Sequence, residues 1–97
     1  MPIDVEELEV IHNEAESRFE IWINQVLSKL DYMYNGNTLT ITHVGVAPEL
    51  RGQGVAGRLT QAALDYAEEK SLRVIPMCPY AAAYIRRHPK YKKLING

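Results

Sequence analysis

Residues 51–57 read RGQGVAG. Gly52, Gly54 and Gly57 match G-x-G-x-x-G letter for letter. Read from Arg51, the same letters give R-x-x-G-x-A, with Gly54 and Ala56 in the later places. The choice between these readings decides the fold. The first calls for a doubly wound sheet with a dinucleotide at its loop. It needs a strand running directly into the first glycine, and an acidic residue about 20 positions on for the ribose hydroxyls. Neither is present. "APEL" and Arg51 stand between Val46 and Gly52, position 72 is leucine, and no acidic residue follows Glu69. A P-loop is excluded because no G-K-[ST] follows.

What remains is a glycine-rich turn opening a helix. From Val55 the apolar residues fall at 55, 56, 59, 62, 63, 66 and 67, which is helical spacing and predicts a helix ending near Lys70. The first N–H groups of a helix have no partner within it, and with the helix dipole they form an anion site. Gly52 and Gly54 put no side chain between backbone and ligand. Arg51 can form the entrance, and a pyrophosphate fits. The same spacing also suits an ordinary strand-to-helix turn.

Upstream of the loop the period changes to two. "LEVIH" at 8–12 reads as a short first strand. "FEIWI" at 19–23 alternates, with Glu20 as its outward residue, and Asn24-Gln25 makes a tight turn. "VLSKLDYMY" at 26–34 alternates again. "NGN" at 35–37 predicts a hairpin through a type I′ turn at Asn-Gly. "TLTITHVGV" at 38–46 is the next strand. Downstream, "LRVIPMC" at 72–78 reads as a short buried strand, and Pro79 opens a second helix that ends before Pro89. Strand, helix, strand in this order implies a right-handed crossover. The fold class is α+β: an antiparallel meander continued by a β-α-β crossover and a C-terminal helix. Residues 1–97 are expected to form one domain.

Charge is divided unevenly. The net charge is −1. Residues 1–50 hold nine acids and two bases, whereas residues 51–97 hold three acids and nine bases, so the basic half begins at the glycine loop. That polarity suits an anionic ligand or a solvated basic surface; Lys90, Lys92 and Lys93 read as a solvated tail. A nucleic-acid role would want a larger basic surface with aromatic platforms. No apolar run reaches the ~18 residues of a membrane span, and the acidic start "MPIDVEELEV" has no basic n-region of a signal peptide. One cysteine, Cys78, excludes an internal disulfide. Together with His12, His43 and His88 it gives no metal-ligand spacing. A reducing, cytoplasmic location and a monomer or weak dimer are expected.

"VAPELRGQGVAGRLTQAALDYA" at 46–67 resembles motif A of the GNAT superfamily of acyl-CoA-dependent N-acetyltransferases: V-x-P-x-x-R-x-x-G-x-A is present in order. "VIPMCPYAAAYIRRHPKY" at 74–91 is similar to the small, stand-alone YjdJ-type branch, in which a C-P-Y…R-H-P-x-Y segment follows a short strand. "NEAESRF" at 13–19 and "LTITH" at 39–43 also resemble it. The likeness covers nearly the whole chain. It implies a minimal GNAT-like fold and acetyl-CoA, or coenzyme A, as co-substrate. The pyrophosphate would lie on Arg51, Gly52, Gln53, Gly54, Val55 and Ala56. The pantetheine would pair with the backbone of Val44, Gly45 and Val46.

The chain also departs from that pattern. Larger relatives carry extra early helices and late strands that shape the acceptor site, and this chain has room for neither. They often place an Asn after the fifth strand and, seven residues on, a Tyr that protonates the departing thiolate. Here those positions hold Cys78 and Ile85. Tyr84 is one residue short, about 100° around the helix, so the role does not simply pass to it.

Cys78 stands where a strand ends and a helix begins, which favours a thiolate. It is a candidate acid or nucleophile, or else a small core residue. His43 is a candidate base or a structural histidine. Arg86 and Arg87, with His88, cap the second helix or reach CoA phosphates. Trp22 and the meander tyrosines read as core or sheet-face residues. The acceptor is an unidentified amine. The alternative to an N-acetyltransferase is an acyl-CoA-binding module with little turnover.

Overall fold

A computed structural model describes residues 4–95, apart from the side chain of Glu6; residues 1–3 of the acidic N-terminal stretch lie outside it. Five strands form one sheet in the order β1-β2-β3-β4-β5: β1 Ile11–Asn13, β2 Arg18–Ile23, β3 Val26–Asn35, β4 Thr38–Gly45 and β5 Arg73–Pro76. The first four are antiparallel, and β5 runs parallel to β4. Helix α1, Val55–Glu69, makes the crossover; α2, Pro79–Arg87, and α3, Lys92–Ile95, follow β5. This is the expected α+β architecture with one helix more.

The hairpins follow from their turn residues. Asn24 and Gln25 both have positive φ, 51° and 66°, so the β2–β3 turn has the φ signature of type I′. The β3–β4 turn differs from expectation. Asn35 pairs with Thr38, which makes Gly36 and Asn37 the central residues, and only Gly36 has positive φ. That is the type II′ signature: the glycine takes the first central place, not the second. Register slips between Asp31 and Tyr32, leaving Thr42 as an extra residue on β4, and its hydroxyl donates to the Asp31 carbonyl at 3.2 Å. The bulge keeps Ile41 and Val44 on the same face although they are three apart.

That face is the core face. Leu30, Leu39, Ile41 and Val74 pack against Leu59, Ala63 and Leu64 of α1 and Ile85 of α2. Among the described residues no helix covers the opposite face, where Trp22 is 50% exposed and Met33 and Ile75 are exposed. Two expectations change here. The segment 72–78 is not a fully buried strand. Strand β5 buries Val74 but exposes Arg73 and Ile75, because it is an edge strand covered on one side. Glu20 lies on the uncovered face as its parity requires, yet it is only 4% exposed. Arg18 Nε, Asn13 Nδ2 and Trp22 Nε1 donate to its carboxylate at 2.5, 2.9 and 3.1 Å, and together they bury and satisfy the charge.

The basic C-terminal segment is more than a solvated tail. Its lysines face outward, but Tyr91 and Leu94 are buried. The Tyr91 hydroxyl donates to Asp65 Oδ1 at 2.6 Å, Lys93 pairs with Glu68, and the Lys90 ammonium lies 5.0 Å from the Tyr91 ring centre. Among the described residues no helix is long and apolar enough to cross a membrane, and no group of three or more His, Cys, Asp or Glu could hold a metal ion.

Candidate active site

The sheet opens at one point. Pairing between β4 and β5 ends at Ile41 with Pro76, and the Cys78 N–H donates to the Ile41 carbonyl at 3.1 Å. Beyond it, residues 42–45 of β4 have no β5 partner. The chain turns away because Pro79 stands at the first position of α2, with Cys78 as its N-cap. A wedge is left between the end of β4 and the start of α2.

The glycine loop borders this wedge. A short 3₁₀ turn, Pro48–Leu50, leads into Gly52 at φ 80° and Gly54 at φ 86°; Gly54 caps α1 without a side-chain bond. Both glycines are needed for backbone conformation. The described backbone hydrogen bonds of this stretch run from the Arg51 N–H to Pro48 and from the Arg58 N–H to Gly54, and no side chain caps the start of α1. A cavity of about 220 Å³ lies here, lined by Val46, Leu50, Arg51, Gly52, Gly54, Val55, Ala56 and Tyr80. A second cavity, of about 290 Å³, shares Gly54 and continues past Gly57 to Arg58, Gln61, Tyr84, His88 and Lys90. The two flank the start of α1, and Arg51, Arg58 and Lys90 supply their positive charge.

Six of the nine loop and strand-end residues singled out from sequence line the first cavity; Val44, Gly45 and Gln53 do not. Val44 packs on the core, and Gln53 Nε2 donates to the Glu49 carbonyl at 3.5 Å. Arg51 Nε donates to the Val46 carbonyl at 3.4 Å, tying the loop to the end of β4. His43 and Cys78 are not brought together. His43 is exposed on the uncovered face, its ring over Gly45, where a Cβ would come within 2.8 Å of Nε2. Cys78 is 8% exposed and belongs to the core cluster. Arg86 and Arg87 are exposed and line neither cavity. His88 does the capping: its Nδ1 donates to the Tyr84 carbonyl at 2.9 Å, as does its backbone N–H at 3.0 Å.

Ile85 is a core residue, so the position seven after Cys78 carries no acid. The phenol facing the glycine loop is Tyr80, which sequence reasoning missed. Tyr80 and Tyr84 lie one turn apart on α2, and both overlie Gly57 of α1: a Cβ there would lie 3.5 Å from the Tyr80 hydroxyl and 3.6 Å from Tyr84 Cε2. The available signal was this i, i+4 tyrosine pair in a helix of small residues, opposite a helical glycine. Burial pushes both phenols above their ordinary pKa, with Arg87 opposing the shift at Tyr80 and Arg58 at Tyr84. Both therefore keep their protons at neutral pH.

Comparison with known proteins agrees with this fold. The chain is similar to Protein NATD1 of Danio rerio, 31% identical over 93 residues that span 91% of this chain and 84% of the relative. It is similar to Protein NATD1 of Xenopus tropicalis at 29% over 85 residues, 84% of this chain and 78% of the relative. The solution structure of a GCN5-like protein from Staphylococcus aureus superposes with a TM-score of 0.71 at 31% identity, covering 90% of this chain and 86% of that one. The family described as GCN5-related N-acetyl-transferase matches residues 18–94, and the chain belongs to that family.

Proposed function

We propose that this protein transfers the acetyl group of acetyl-CoA to an amine. The observation that carries the reading is the glycine turn at the uncapped start of α1, with positive φ at Gly52 and Gly54, opening beside the point where β4 and β5 separate. In this reading the CoA pyrophosphate lies on the backbone N–H groups of that turn, with Arg51 at the entrance. The pantetheine runs along Val44, Gly45 and Val46 at the end of β4, beyond the last residue paired with β5. The acceptor amine attacks the thioester carbonyl; the C–N bond forms, the C–S bond breaks, the nitrogen gives up one proton to water, and the departing thiolate takes one from an acid. Two groups are candidates for that acid: the Cys78 thiol at the N-cap of α2 and the protonated Tyr80 phenol on the cavity wall. Cys78 could instead take the acetyl group itself before the amine does. The single cysteine suits a reducing, cytoplasmic setting.

One observation favours a second reading, an acyl-CoA-binding module with little turnover. Among the described residues neither a carboxylate nor a histidine lines the loop cavity, and His43 faces away from Cys78. Release of free thiol from acetyl-CoA in the presence of a panel of amines and peptides separates the two. Thiol release that depends on the amine supports transfer. Tight acetyl-CoA binding without thiol release supports the module. Absence of acetyl-CoA binding overturns both.

A further inference from the structure

Another cavity, of about 410 Å³, lies well away from the glycine loop and is lined by Glu14, Ser17, Tyr32, Tyr34 and Tyr66. Tyr66 is eleven residues along α1 from Val55, about 16 Å at the helical rise. Its wall is built firmly. The His12 ring stacks on Phe19 at 4.1 Å and meets Tyr66 edge-on at 4.5 Å, and its Nε2 is hydrogen-bonded to the Tyr32 hydroxyl at 2.6 Å. Tyr32 and Tyr66 are thus locked from behind. Tyr34 shares the face of Tyr32 but is 59% exposed at the cavity wall.

Among the described residues lining this cavity none is basic, and Glu14 contributes a carboxylate. That carboxylate is close enough to favour the charged form of His12, yet burial outweighs it and lowers the imidazole's pKa. No cation therefore occupies the rear wall at neutral pH. Three tyrosines and one carboxylate line the cavity, a set that suits a cation with an apolar outer surface.

We propose that this cavity binds an organic ammonium group, a methylated one above all. The ring faces would contact the N-methyl groups, and Glu14 would neutralise the charge. The inference does not rest on acetyl transfer and can be tested without CoA.

The test is a titration of the full chain with choline, read from the tyrosine ring resonances. The neutral carbon analogue 3,3-dimethyl-1-butanol is the control. A blocked trimethyl-lysine residue, titrated in parallel, distinguishes a peptide-borne ammonium from a free one by which binds more tightly. Saturable shifts at Tyr34 and Tyr66 with either cation, and weaker binding of the neutral analogue, are expected. Tyr34→Ala and Glu14→Gln, both at exposed positions, should each weaken binding by about threefold or more. Equal binding of the neutral analogue, unchanged affinity in either variant, or no saturable shift with either cation overturns the proposal.

Discussion

Tyr80 stands directly over Gly57: a Cβ built on that glycine would lie 3.5 Å from the phenol oxygen. This is ordinary van der Waals distance, so alanine fits without displacing α2. Glycine inside a helix costs about 0.5–1 kcal/mol relative to alanine. Gly57→Ala should therefore raise the melting temperature by a few degrees. Gly57 has no positive φ, whereas Gly54 has φ 86° and lies near Val5. Gly54→Ala should accordingly lower stability. If both changes shift melting in the same direction, this account of the two glycines is wrong.

Glu20 gives the fold an acid limit. Hydrogen bonds from Arg18, then Asn13, then Trp22 hold its carboxyl below the ordinary value of 4.5. In the unfolded chain the group takes up its proton first as pH falls. Its contribution is thus present above about pH 4.5 and is lost as pH drops through the folded value. Glu20→Gln should cost about 1 kcal/mol at pH 7, since three donors lose a charged acceptor. It should also flatten the loss of stability below pH 4.5. Glu68, lowered by Lys93, retains part of that slope. Melting curves from pH 3 to 7 for both proteins are the check; parallel curves would exclude the linkage.

Tyr91 gives an alkaline limit and shows what anchors the C-terminal segment. Burial and the hydrogen bond to Asp65 raise its phenol well above 10. The unfolded phenol loses its proton first as pH rises, so stability is full below about pH 10 and declines above it. Tyr91→Phe keeps the packing and removes the bond, at a cost of about 1 kcal/mol near neutrality. It should also reduce the decline above pH 10, leaving the shares of Tyr32, Tyr80 and Tyr84. An unchanged melting temperature at pH 7 would mean that the Asp65 contact is not a stabilising one.

The meander, α1 and the crossover were legible because each rests on a period that the residues themselves state: two through Val26–Tyr34, and helical spacing from Val55. The failures share a cause. Alternation marks Glu20 as outward but does not show that Arg18, Asn13 and Trp22 fold over it. An apolar run at 72–78 does not reveal that one face of β5 lacks a cover. Asn35-Gly36 signals a hairpin, yet the cross-strand register decides which residues are central. Tyr80 was missed for a similar reason. Its importance comes from α2 lying across Gly57, and no local pattern encodes the meeting of two helices. The glycine loop itself was readable, although Gly52 and Gly54 proved to serve backbone conformation first.

Charge around the loop predicts a salt dependence. Arg51 lines the first cavity, and Arg58 and Lys90 line the second. Binding of CoA phosphates there should weaken as ionic strength rises, because exposed ion pairs are screened. Arg58→Ala should lower affinity by up to about fivefold and flatten the salt dependence. Arg86→Ala, which lines neither cavity, is the contrast and should leave both unchanged. If Arg86→Ala has the larger effect, the phosphates lie at the C-terminal end of α2 instead.

Substitution of Cys78 tests the proposed transfer most directly. It is 8% exposed, packs within the core, and sits as N-cap of α2 with φ −73° and ψ 128°. Serine is a preferred N-cap, and its hydroxyl can accept from the uncapped N–H groups of the first turn. Cys78→Ser should therefore leave the melting temperature near its starting value, which removes the usual ambiguity of a core substitution. If the thiol is acid or nucleophile, acetyl transfer should fall by about 10²-fold or more while CoA affinity holds. An acetyl group found on the Cys78 peptide after brief mixing with acetyl-CoA, and lost on adding a competent amine, marks the covalent route. Tyr80→Phe provides the complementary arm, since it removes the other proton donor and keeps the ring over Gly57. Loss of turnover in Tyr80→Phe with full activity in Cys78→Ser would assign the acid to the phenol and leave Cys78 a core residue. The reverse pattern assigns it to the thiol. Full activity in both would exclude each as the acid and leave the proton to water.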